Sequence, residues 1–290
     1  MSNKQPTILV IGTNGQLGQE LQVLAPSFPG YRFLFTTKDE VDIIHPVETS
    51  EYFSARSIDY CINCAAYTAV DNAETEKENA FFINAYAVAC IADICHKNNT
   101  QLIHISTDYV FDGTAGQPYK ETDKTAPVSV YGKSKMHGEE LALRNEPSAI
   151  IIRTAWLYSS FKNNFVKTML RLMKEKESIN VVNDQFGSPT YAADLAAAIM
   201  QMIVSGKSKE NPGIYHYNNA GITNWYEFAV AIKKLTDSNC IVNPIPTSQY
   251  PTPAKRPAYS VLDSTKIKET FGVAVPDWEE SLKRCLEQLK

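Results

Sequence analysis

Apolar and polar positions follow two rhythms along this chain, and both appear within its first 26 residues. An apolar run from Ile8 to Ile11 leads straight into glycines at 12, 15 and 18. Behind them Leu17, Leu21 and Leu24 recur at helical spacing until Pro26 stops the pattern. A short continuous apolar run fits a buried strand, and recurrence every three to four residues fits one face of an amphipathic helix. The same succession continues through the first half. It predicts strands at 7–12, 31–36, 59–64, 101–106 and 149–153, and helices at 16–25, 46–56, 75–97 and 130–145. The 75–97 helix opens on charge (Glu74, Glu76, Lys77, Glu78) and carries an apolar stripe through Phe82, Val88 and Ile91. Such alternation implies a parallel sheet with helices on both faces and right-handed crossovers.

Beyond about residue 155 the rhythm changes. A helix at 163–176 precedes Ser178–Val182, a Gly-Ser-Pro turn and a helix at 191–205, and residues 210–290 are rich in Pro, Asn, Thr and Tyr. The expected fold is α/β: a Rossmann-type doubly wound parallel sheet with a smaller C-terminal substrate-binding lobe. Residues 1–155 would form the dinucleotide-binding domain. Residues 156–290 would be mainly the substrate lobe, with some segments returning to the first domain. Ligands in such sheets bind beyond the carboxyl ends of the strands, so chemistry is expected just after each predicted strand.

Composition narrows the function classes. With 290 residues, 44% hydrophobic and 21% charged, the chain can bury a large core. A net charge of −4 argues against a nucleic-acid partner. No segment approaches the ~18 apolar residues of a membrane span, and a strand beginning by residue 7 leaves no room for a signal peptide. A cytoplasmic protein without membrane contact is expected. The cysteines lie at 61, 64, 90, 95, 240 and 285. Cys61 and Cys64 have redox-pair or zinc spacing, but residues three apart on a strand face opposite ways, and no second pair or histidine cluster accompanies them. Buried, reduced thiols are the reading, and no metal site is expected.

Four segments carry chemistry. In the first, Gly12 permits a tight turn, Gly15 lets backbone approach a pyrophosphate, and Gly18 lets helix and strand pack closely. The helix start then offers free N–H groups and a positive dipole end to phosphates. The second, Ser106-Thr107-Asp108-Tyr109-Val110-Phe111-Asp112-Gly113, sets hydroxyls and a carboxylate at the end of a strand. In the third, Tyr131 and Lys135 stand four apart and share a helix face. An ammonium beside a phenol would lower its pKa from about 10 towards neutrality, and such a phenol can protonate a developing alkoxide. Lys255 and Arg256, in the proline-stiffened stretch Tyr250–Pro257, offer cations to an anionic group, with Arg256 suited to bidentate grip.

The glycine turn, the Ser-Thr strand end and Tyr-x-x-x-Lys together resemble the extended short-chain dehydrogenase/reductases. Asn63-Cys-Ala-Ala-Tyr-Thr-Ala-Val-Asp71, Ser106–Gly113, Asn183-Asp-Gln-Phe-Gly-Ser-Pro-Thr190 and Tyr250-Pro-Thr-Pro-Ala-Lys-Arg-Pro257 narrow this to the dTDP-4-dehydrorhamnose reductases. The resemblance spans nearly the whole chain. It implies NADPH-dependent reduction of the C4 ketone of dTDP-4-dehydro-L-rhamnose to dTDP-L-rhamnose, in a monomer or homodimer. By that resemblance Thr107 holds the carbonyl and Tyr131 protonates it. Lys135 binds the nicotinamide ribose and tunes Tyr131, while Asp108 and Trp156 contact the sugar. Cofactor contacts would come from Gly15, Gln16, Leu17, Asp42, Ile43, Ala65, Ala66, Tyr67 and Thr68.

Two departures qualify the match. NAD sites place Asp or Glu on the ribose about 20 residues after the glycines. Here Thr36-Thr37-Lys38 precedes Asp39, a lysine and two hydroxyls suited to a 2′-phosphate, so NADPH is expected, with NADH also accommodated. Some members of the family dimerise through a divalent cation held by glutamates. Glu20 matches one ligand, but the position before Asp194 is Ala193, which leaves magnesium without its ligand set and Glu20 as an ordinary surface residue. A same-fold epimerase or dehydratase stays open, since Asp108 adjoins Thr107. So does a non-catalytic partner resembling the regulatory subunit of methionine adenosyltransferase.

Overall fold

The computed structural model describes residues 5–289. Its central sheet begins with β1 (Thr7–Ile11), β2 (Arg32–Thr36), β3 (Tyr60–Asn63), β4 (Gln101–Thr107) and β5 (Ile150–Thr154). The sixth strand, β6 (Gly213–His216), arrives from well beyond residue 155 and pairs Ile214 with Ile151. All pairings are parallel, in the order β6-β5-β4-β3-β1-β2.

Strand pleating sends alternate residues to opposite faces, and two cores follow. Ile8, Val10, Ile62, Ile103 and Ile152 pack against α1 (Gln16–Leu24) and a helix at Ala192–Val204, through Leu17, Leu21, Leu195 and Ile199. On the other face Leu9, Ile11, Cys61, Leu102 and Ile151 meet α2 (Pro46–Ser54) and α3 (Lys77–Lys97), through Phe53, Val88, Ile91 and Cys95. The two ends of the Cys61–Cys64 pair therefore serve different faces, and all six cysteines are free thiols.

Two details of α3 differ from expectation. Its middle, Phe82–Tyr86, is a π turn between two α-helical stretches. Phe82 is also 46% exposed and does not join Val88 and Ile91, because it stands six and nine residues from them, off the three-to-four-residue spacing of one helix face. Second, α3 does reach the length and apolar composition of a membrane span, contrary to the sequence reading. Half of that stretch is buried inside the protein as a core helix.

α4 (Val130–Asn145) runs beside α3, its start capped by Ser129 Oγ accepting from Gly132 N–H. A separate core gathers Val166, Met169, Ile179, Phe228, Trp278 and Leu282. It joins α5 (Phe165–Glu175), helices at Trp225–Leu235 and Trp278–Glu287, and the paired strands Ser178–Val182 and Ile241–Ile245. Between this core and the carboxyl ends of β1, β3, β4 and β5 lies a cleft of about 600 Å³.

Candidate active site

The cleft begins at the glycine turn. Gly12 has φ +79°, and a Cβ there would sit 2.7 Å from the Ala65 nitrogen. A Cβ on Gly18 would sit 2.5 Å from Thr13 Cα. Only glycine lets the β1 end, the β3 end and α1 approach this closely. Gly15 is the N-cap of α1 and no side chain caps that end, so its first N–H groups face the cleft beside Asn14, Gly15, Gln16 and Leu17. A helix start open to an anion, in a cradle that any Cβ would fill, fits a dinucleotide pyrophosphate.

Opposite stand the hydroxyls. Thr107 ends β4, and its hydroxyl donates to Asp108 Oδ1 at 2.9 Å while accepting from Tyr109 N–H at 3.2 Å. Tyr131, in the first turn of α4, stands with Thr107 in the cleft lining and meets Tyr109 edge-on at 5.6 Å. One turn on, Lys135 is 1% exposed and donates to the Ile105 carbonyl at 2.7 Å. All of these line the cleft with Cys64, Ala66, Thr68 and Trp156.

The electrostatics correct one expectation. Burial pushes the Tyr131 phenol up to about 12, Thr107 opposes this, and the charge of Asp108 adds to it. Lys135 does not pull the phenol down, because its nitrogen is turned to the floor of the cleft, against Ile105 and His104. Burial instead brings Lys135 itself down to about 8, against the pull of Glu139. Asp108, 2% exposed, is raised to about 6 by burial, and its Oδ2 has no protein partner.

Other expected residues lie elsewhere. Arg256 does not present a free fork: its two terminal nitrogens hold Asp71 at 2.9 and 2.8 Å. Of the hydroxyls offered to a 2′-phosphate, Thr36 is buried and donates to the Val10 carbonyl, while Thr37 donates to Glu40. Lys38 stays exposed, 3.6 Å from Asp42. Asp42, in the connection between β2 and α2, accepts from Ile44 N–H, Ile43 is in the core, and Tyr67 is tied through both backbone polar groups to Asn84; none of the three lines the cleft. Glu20 is no surface residue. It is 5% exposed, burial raises it to about 7, and its Oε1 lacks a partner. Among the described residues no group of three or more His, Cys, Asp or Glu gathers to hold a metal.

Several cleft residues escaped the sequence reading. Lys162, Asn163, Asn164 and Trp225 line its far wall. Asn164 caps α5 and also donates to Gln16 Oε1 at 3.0 Å, joining that wall to the glycine turn. An Asn before an amphipathic helix is a capping signal, and it was the available clue. Trp156 sits at φ +48° and stacks on Trp225 at 3.6 Å, a backbone strain held by the packing around it.

Comparison with known proteins now bears on this site. The family model described as RmlD substrate binding domain matches residues 6–290. A dTDP-4-dehydrorhamnose reductase of Aggregatibacter actinomycetemcomitans is 42% identical, over 95% of this chain and 97% of that protein. The chain belongs to the dTDP-4-dehydrorhamnose reductase family. Its relative from Escherichia coli K12 is 40% identical, covering 97% of each chain. The dTDP-4-dehydrorhamnose reductase of Bacillus anthracis, solved in complex with NADP, superposes with a TM-score of 0.93 at 37% identity, over 98% of this chain and 100% of that one. Enzymes of this family are oxidoreductases, and the doubly wound sheet described above is the family's fold.

Proposed function

We propose that this chain reduces the C4 ketone of dTDP-4-dehydro-L-rhamnose to dTDP-L-rhamnose, with NADPH as reductant and Tyr131 as proton donor. The observation that carries the reading is the meeting of Thr107, Tyr131 and Lys135 in one cleft, facing the open start of α1. The NADP complex of the Bacillus anthracis relative supports the choice of cofactor.

Bound NADPH supplies the hydride. The N–H groups of the first turn of α1 hold its pyrophosphate, with Gly12 and Gly18 allowing the approach. Lys135 offers a hydrogen to the nicotinamide ribose. Tyr131 arrives as a phenol and gives its proton to the alkoxide oxygen as it forms. Thr107 orients the ketone, for which its hydroxyl must first leave Asp108. Trp156 and Asp108 line the sugar's place. Arg256 supports the site indirectly, by fixing the 250–257 loop to Asp71.

Loss of NADPH absorbance on adding dTDP-4-dehydrorhamnose is the test. Tyr131→Phe should lower turnover by ~100-fold or more while NADPH still binds. Near-normal turnover in that variant removes Tyr131 from the role, and silence of the unaltered protein removes the activity itself.

A further inference from the structure

Beneath the cleft floor, His104 on β4 is completely buried. Its ring Nδ1 lies 3.1 Å from Asn63 Nδ2, and its Nε2 lies 3.2 Å from Lys135 Nζ. Neutral imidazole has one donor nitrogen and one acceptor, so the far end of this chain of contacts decides where the proton sits. The Ala65 backbone N–H can only donate, and it lies 3.1 Å from Asn63 Oδ1. That fixes the amide and turns its N–H towards the ring. Nδ1 is therefore the bare acceptor, and the ring proton is on Nε2, facing the lysine. An ammonium would set N–H against N–H there. An amine accepts the ring proton through its lone pair and keeps two hydrogens. One goes to the Ile105 carbonyl, and the other is left for the cleft.

His216 supplies the contrast. Its Nδ1 donates to the Tyr119 carbonyl at 3.0 Å, which leaves Nε2 bare, and there it meets Arg153 Nη1 at 3.4 Å. A carbonyl behind the ring admits a cation in front of it. An amide N–H behind the ring opposes one.

We propose that Asn63 and His104 favour the neutral amine of Lys135 in the ligand-free protein, so that Lys135 takes up a proton from solvent when the anionic dinucleotide enters. The step adds one proton to the amine nitrogen and forms the ammonium, which leaves the ring for the ligand. Asn63 and His104 are positioning residues, since neither lines the cleft. The other ionisable groups around Lys135 are few. Glu139, one turn along α4, is bound by Arg153 of β5 at 2.6 Å. Tyr131 lies one turn back, Asp108 follows β4, and burial keeps the Cys64 thiol neutral. Burial lowers both Lys135 and His104, the same direction as the hydrogen-bond order requires. The inference rests on assigning Lys135 to the cofactor; the measurement on the ring does not.

Long-range proton–nitrogen NMR spectra of the five histidines, with His104 assigned by its loss in His104→Gln, read the ring directly. The expected result is a neutral His104 protonated on Nε2 near pH 8, with His216 protonated on Nδ1. A His104 proton on Nδ1, or a charged ring, overturns the proposal. Calorimetry of NADPH binding near pH 8, in buffers of differing ionisation enthalpy, reads the proton uptake. The 2′-phosphate, with a pKa of about 6, is already ionised there. With Lys135 at about 8 or below, uptake of about half a proton or more per NADPH is expected. Asn63→Asp accepts the Nδ1 proton and opens Nε2 to an ammonium, so uptake should fall to near zero. Equal uptake in both proteins also overturns the proposal. If Asn63→Asp does not fold, the ring spectrum of the unaltered protein decides alone.

Discussion

A phenol held at about 12 by burial keeps its proton throughout the neutral range, so in the proposed reaction Tyr131 would arrive as a donor without help from a lysine. Its neighbour Asp108 contributes to that affinity when ionised. In Asp108→Asn the basic limb of kcat/KM against pH should therefore move down by up to about one pH unit. A limb that stays in place, or moves up, shows that the two groups do not interact. Glu20 gives a second test, on stability. Its folded carboxyl binds a proton up to about 7, against an ordinary 4.5, so the fold loses stability as pH rises between those values. Glu20→Gln removes that loss. Thermal melts near pH 8 should show a gain of roughly 1–3 kcal/mol, and melts near pH 4 almost none. An equal gain at both pH values would mean packing, not ionisation, is responsible.

Local signals explain what the chain discloses about its elements. β1, the glycine turn and α1 are adjacent in sequence, and Gly12 and Gly18 each have a steric reason at their own position. Thr107, Tyr131 and Lys135 were legible because each stands at a strand end or on a helix face that the periodicity defines. The π turn in α3 was not, since one added residue hides within a 21-residue helix. β6 was not, being four residues after an Asn-Pro break. The Arg256–Asp71 partnership was not either, because 185 residues separate the pair. That pair clasps the loop after β3 to the 250–257 loop, and Ala254 N–H donates to the same carboxylate. Both side chains keep solvent contact, so a double-mutant cycle of Arg256→Gln and Asp71→Asn should give a coupling of about 1 kcal/mol. A coupling near zero would make the clasp incidental.

Across the whole molecule, the sheet draws on distant parts of the chain. The helix at Ala192–Val204 covers the same apolar face as α1, and β6 completes the edge beside β5. A fragment ending near residue 160 should therefore aggregate, or show no cooperative melt, when examined by size-exclusion and calorimetry. A monomeric, cooperatively melting fragment would contradict this. The late arrival of β6 also has a consequence for synthesis. After Thr154 leaves the ribosome about 60 more residues must follow before Gly213–His216 is available, several seconds at ~5–20 residues per second. Throughout that interval the apolar strand Ile150–Thr154 has an unpaired edge, the kind of surface that recruits strands from neighbouring nascent chains. Yield in a crowded cell should thus depend on translation speed and on chaperones that shield one strand, long before any substrate is met.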